Sequence, residues 1–263
     1  MSAAALRISG VPVIRRADRL PEPWWRTSVK ELTGSVAERD YPCHFGRAAL
    51  LRGEFFATFF DGPGPDLAWA LRTFLERSQR QPARRLVLAG FRRPEAEPRD
   101  QDWYEAEFWR VLQELHDGDD RPWPASTPSR PEHPNWEFSF SGVPMFVFAA
   151  APTYLRRRSR NLGTGLVLLF QPRNVFAGVE GGTPGGVRAR QGIRRRLAEW
   201  DTVAPHADLG DYGDPSNNEW RQYFIADDHS RLRERCPLHL RDADGAPPEL
   251  TDHVEGAADR TRG

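Results

Sequence analysis

Glu54-Phe55-Phe56-Ala57-Thr58-Phe59-Phe60, closed by Asp61-Gly62-Pro63-Gly64-Pro65, is the stretch on which the fold turns. An aromatic-rich run ending in a Gly/Pro cluster reads as a buried strand followed by a tight turn. Asp66 is then a suitable N-cap, and Leu67, Ala70, Leu71, Phe74 and Leu75 recur at helical spacing. Residues 86–91 form a second short apolar strand. Asp102 with Glu105 makes a capping-box-like pair, opening a helix whose core face is Phe108, Leu112 and Leu115 and which ends by Gly118.

Working outward, residues 121–135 carry five prolines and exclude regular structure, while Trp123 among them argues for an ordered loop lying on the body. Residues 136–140 and 144–150 flank Ser141-Gly142 and read as a hairpin. Residues 166–170 give a further strand, closed by Gln171-Pro172-Arg173. A third helix is expected over 187–200, with Ile193, Leu197 and Trp200 as its apolar stripe. Residues 48–53 suit one or two helical turns, and 220–225 a last strand or short helix. Residues 1–30, with Pro21-Glu22-Pro23-Trp24-Trp25, read as an extended arm that packs its tryptophans on the domain. Residues 241–263 are charged and rich in Pro, Gly and Ala, with almost nothing to bury, and are expected to be disordered. Residues 31–240 are then one α+β domain, a mainly antiparallel or mixed sheet flanked by helices.

Composition narrows the function classes. The 263 residues carry no formal net charge, which argues against nucleic acid or a membrane surface held by bulk charge. Lys30 is the only lysine, so the other 36 of the 37 basic residues are arginines. The apolar runs are too short to span a bilayer and no signal-peptide pattern opens the chain, so a cytoplasmic protein is expected. Cys43 and Cys236 are the only cysteines. They resemble no secreted disulfide framework, although one long-range bridge stays open.

Chemistry centres on Asp40-Tyr41-Pro42-Cys43-His44-Phe45-Gly46-Arg47. Proline before the cysteine and glycine after it set the local backbone, and positive charge nearby favours the thiolate that binds metal or attacks. Taken alone, a cysteine beside aromatics is ordinarily a small buried hydrophobe. Cys43-His44 with Cys236 and His239 would offer four zinc ligands, but adjacent Cys-His is poor for chelation. Glu137 alternates with Trp136 and Phe138, sharing a strand face with Ser139. Were both faces covered, it would need a guanidinium partner, from a ligand or from one of the chain's own arginines. The run 156–160 reads as a solvated basic loop. Asp119-Asp120 could bind an amino group or simply end a helix. Walker, GxSxG and HExxH motifs are missing from the sequence.

The stretch Tyr41-Pro42-Cys43-His44-Phe45-Gly46 resembles the first signature of the YqcI/YcgG family. Later segments agree in order: Phe108-Trp109, Leu115-His116, Pro122-Trp123-Pro124, 136–140, Arg158-Ser159-Arg160-Asn161, 170–173 and 220–224. That resemblance implies a haem b monooxygenase that uses O2 and an electron donor to hydroxylate a guanidine nitrogen of arginine or a related compound. Cys43 is the axial ligand it implies, with His44 and His116 as imidazole rivals. Arg160 and Arg173 would bind haem propionates or a substrate carboxylate. Glu137, aided by Trp136, Ser139 and Asp120, would hold the guanidine, with Trp136 and Phe146 as apolar walls. A non-catalytic, regulatory small-molecule-binding protein of the same fold is the alternative.

Overall fold

A computed structural model describes residues 6–241, apart from 63 and 181. Its centre is a five-stranded mixed sheet built from β3 (Phe55–Phe60), β4 (Val87–Arg92), β5 (Ser139–Phe140), β6 (Val143–Ala150) and β7 (Val167–Pro172), in the order β3-β4-β7-β6-β5. The pair β3 and β4 is parallel, joined over α3 (Pro65–Gln79), and every other pairing is antiparallel. The expected single α+β domain with a mixed sheet is the fold observed.

Alternation along the strands explains why both faces are covered. Phe56, Phe60, Leu88, Leu168, Phe170, Met145 and Val147 point to one side, against α3 and α4 (Gln101–Asp117). Phe55, Phe59, Val87, Phe91, Val167 and Leu169 point to the other, against α1 (Pro23–Ala37) and α2 (His44–Leu51). An aromatic run such as 55–60 therefore serves two cores at once, the signature of a strand buried on both faces. Gly90 lets α3 come close, since a Cβ there would sit 3.2 Å from a Leu67 methyl carbon.

Several boundaries shift. The amino-terminal arm is not wholly extended: β1 (Arg7–Ile8) and β2 (Val11–Pro12) form a small antiparallel hairpin, and α1 begins at Pro23. Proline at the first helical position suits a site whose N–H would have no partner anyway. Trp25 does pack on the domain, stacked on Phe59 at 4.2 Å. The cap of α3 is Gly64, not Asp66, and that of α4 is Asp100, whose side chain accepts from the Trp103 N–H at 2.8 Å. The hairpin turn at Ser141-Gly142 is present, both residues having positive φ (54° and 73°). Its first strand is shorter than expected because the Tyr223 hydroxyl takes the Phe138 N–H at 2.9 Å, replacing a ladder bond. The tail expected to be disordered lies, beyond Arg241, outside the described residues.

A candidate ligand cavity beside Cys43

The remaining long helix, α5 (Pro184–Trp200), is capped by Thr183, whose hydroxyl accepts from the Gly186 N–H at 3.0 Å. Its stripe of Ala189, Ile193 and Leu197 does not close on the sheet. Between them lies a cavity of about 460 Å³, within the range of small-molecule and cofactor sites. Phe146 and Phe148 of β6 and Phe176 supply apolar walls, and Tyr41, Pro42, Cys43 and Phe45 line one side. Polar groups enter from the turn holding Arg157, Ser159 and Arg160, from Gln171 and Arg173 at the end of β7, and from Asp201, Tyr212, Glu219 and Gln222.

Cys43 caps α2, its sulfur accepting the Gly46 N–H at 3.4 Å. Burial pushes its thiol pKa up, and bonds from the Gly46 and Phe45 amides only partly offset this. The activation expected from Arg47 is not built: that side chain is tied to the Ala37 carbonyl at 3.1 Å. Both cysteines are free. They pack against opposite cores, Cys43 on the α1/α2 side and Cys236 on the α3/α4 side, so neither a bridge between them nor the four-ligand zinc arrangement forms. Among the described residues no three His, Cys, Asp or Glu side chains converge on a metal position.

Arg160 is 4% exposed and reaches the Ala149, Tyr223 and Gln222 carbonyls at 3.2, 2.9 and 2.7 Å. Burial lowers its pKa to about 10, so it stays charged at neutral pH. Arg157 is held in the same way by the carbonyls of Ala226, Ala204 and Asp228 at 2.8, 3.0 and 2.5 Å. The run 156–160 is thus no solvated loop. Arg157 and Arg160 turn inward, three residues apart, as a 3₁₀ turn places them.

Glu137 is buried and paired, as its alternation demanded, but with the chain's own Arg173. Arg173 Nε bonds both carboxylate oxygens at 2.8 Å and its terminal nitrogen takes a third, short bond. Burial works against the Arg173 charge, yet Glu137 and Glu219 hold its pKa above the ordinary arginine value. The Tyr212 ring lies 3.6 Å from the guanidinium. Glu137 itself does not line the cavity, so its expected place against a ligand is corrected: it is the anchor of Arg173, which does line it.

Trp136, Ser139, His116 and Asp120 are likewise not brought to the cavity. Trp136 is fully buried and stacks on Trp123, and Ser139 is buried in the hairpin. His116 accepts the Arg241 N–H at 3.0 Å on the α3/α4 side, far from the role of an imidazole rival. Asp120 pairs with Arg72 at 3.0 Å on the surface. His44 follows Cys43 but packs on Phe45 instead of lining the cavity. Cys43, Arg160, Arg173 and Phe146 are the expected residues that meet there.

Sequence reading missed Arg157, Tyr212 and Glu219. The three-residue spacing inside the arginine run could have revealed Arg157. Nothing local marks Glu219, which precedes an aromatic segment and becomes a site residue only through long-range packing.

One α+β domain with a single cysteine at the edge of a largely apolar, arginine-rimmed cavity is the class these features define. The chain belongs to the YqcI/YcgG family, whose sequence pattern matches residues 32–239. It is 36% identical over 235 residues to "Uncharacterized protein YcgG" of Bacillus subtilis (strain 168), covering 85% of this chain and 91% of that protein. It is 32% identical over 230 residues to "Putative N(omega)-hydroxy-L-arginine synthase DcsA" of Streptomyces lavendulae, covering 84% and 86%. "Uncharacterized protein YqcI" of the same Bacillus strain is 33% identical over 224 residues, covering 82% and 87%. No solved structure matches significantly. No helix among the described residues is long and apolar enough to cross a membrane.

Proposed function

We propose that this protein is a haem-dependent monooxygenase that hydroxylates a guanidine nitrogen of arginine or a related compound. The observation that carries the reading is Cys43, presented at the N-terminus of α2 into a cavity walled by Phe45, Phe146, Phe148, Ile193 and Leu197. The named Streptomyces relative, an arginine-hydroxylating protein by its name, supports the substrate class. The residues fit haem b. One sulfur with amide N–H bonds suits an axial thiolate, apolar walls suit a flat macrocycle, and buried guanidiniums suit carboxylates.

Bound there, haem would activate O2, one oxygen entering the N–H bond and the other leaving as water with two electrons from a donor and two protons. The chain's own part is to hold and exclude. Cys43 is the residue that would hold the iron, and the Gly46 and Phe45 amides would stabilise negative charge on its sulfur. The phenylalanines keep water out. Arg160 and Arg173 supply cationic contacts to propionates or to a substrate carboxylate, and Glu137 keeps Arg173 in place.

Protein produced with haem supply should show a Soret band at about one haem per chain, with a ferrous-carbonyl band of the thiolate type. Cys43→Ala should lose that carbonyl signature. Its retention would remove Cys43 as the ligand, and a colourless wild-type protein would end the haem reading.

A further inference from the structure

Glu137 is saturated by Arg173, which leaves another carboxylate to account for. Glu219 lines the cavity, is 3% exposed, and meets the same terminal nitrogen of Arg173 that bonds Glu137. Arg173 spends its bidentate fork on Glu137 and offers Glu219 only one contact, at 3.2 Å. The other Glu219 oxygen accepts from the Gln222 amide at 3.0 Å. Two carboxylates therefore share one arginine, and this end of the cavity carries an excess negative charge when both are ionised. An uncompensated buried charge is costly.

We infer that Glu219 is the carboxylate that receives the cationic group of the ligand, pairing with a guanidinium that enters the cavity. This rests on the guanidine reading above for the identity of the cation, though not for the presence of one. Among the groups facing Glu219 are Arg173, Glu137, Tyr212, Tyr223, Asn217 and Gln222, and the cation hydrogen-bonded to it is Arg173. In agreement with that imbalance, burial outweighs the opposing pull of Arg173 and, with a smaller push from Glu137, raises the Glu219 pKa to about 7. A cation arriving beside it restores the balance and releases the proton.

The test is calorimetric titration of the protein as purified, its haem content recorded, with arginine and with citrulline, whose neutral urea replaces the guanidinium. At pH 6, arginine binding should release about one proton, seen as heats that differ between buffers of unequal ionisation enthalpy. Glu219→Gln should weaken arginine roughly a hundredfold, abolish the proton release and leave citrulline unchanged. Should Glu219→Gln fail to fold, the wild-type heats decide: no proton release at pH 6 overturns the assignment. Arginine binding to a folded Glu219→Gln as tightly as to wild type overturns it too, while the guanidine reading stands. If simple alkylammonium ions bind with the Glu219-dependent proton release and guanidines do not, the assignment holds and the guanidine reading falls.

Discussion

Helices α4 and α5 are both seventeen residues long, and both carry an apolar stripe, but they do different things with it. On α4 the stripe is buried: Phe108, Leu112 and Leu115 are 0–3% exposed against the sheet. On α5 only Gly186 is buried, and Ile193 and Leu197 remain half-covered beside the cavity. A close-packed interior gains dispersion contacts that an open one forgoes. The α4 side is a core that holds the fold, whereas the α5 side leaves an apolar surface facing a cavity.

Truncation on the two helices should separate them most sharply. Phe108→Ala should cost about 3–5 kcal/mol in chemical denaturation, as fully buried aromatics do. A loss below about 1 kcal/mol would mean that the α4 face is not the structural one.

A smaller effect concerns pH. A carboxyl raised to about 7 in the folded state binds a proton that the unfolded chain releases lower down. Between its ordinary pKa and about 7 the folded state therefore holds more protons, and stability falls as pH rises through that window, by up to about 3 kcal/mol. Denaturant curves at pH 5 and 8 should show a smaller decline for Glu219→Gln than for wild type, since other groups titrate alike in both. Equal declines would show that Glu219 is not the strained carboxyl.

The smallest stability effect should come from Ile193→Ala on α5, below about 1 kcal/mol in the ligand-free protein because little packing is lost. Its cost should appear instead as weaker retention of whatever fills the cavity, read by dialysis of the loaded protein. A large loss of stability without ligand would merge the two helices into one class.

How much was legible follows from the same contrast. The runs 55–60 and 86–91, the stripes of α3 and α4 and the Ser141-Gly142 turn were readable because local pattern and burial agree there. The stripe of α5 was read correctly as apolar, yet periodicity says only that a face avoids water, not whether side chains or a ligand cover it. Glu137 was legible as a buried carboxylate needing a guanidinium. Which guanidinium it meets depends on the end of β7 reaching it across the sheet, a contact between residues 36 apart. Glu219 was invisible for the same reason, and the start of α2 at His44 was missed because its cap is a sulfur.

Arg157 fastens parts of the chain that are far apart in sequence. The carbonyls it gathers belong to Ala204, Ala226 and Asp228, all made after the sheet and Cys43. Leu209, Tyr212, Glu219, Gln222 and Ile225 of the cavity lining lie in that same late stretch. In chain order, then, the sheet and the cysteine precede the part of the lining that encloses the cavity. Two late stretches of backbone, at Ala204 and at Ala226–Asp228, are thus latched beside the cavity by a single guanidinium.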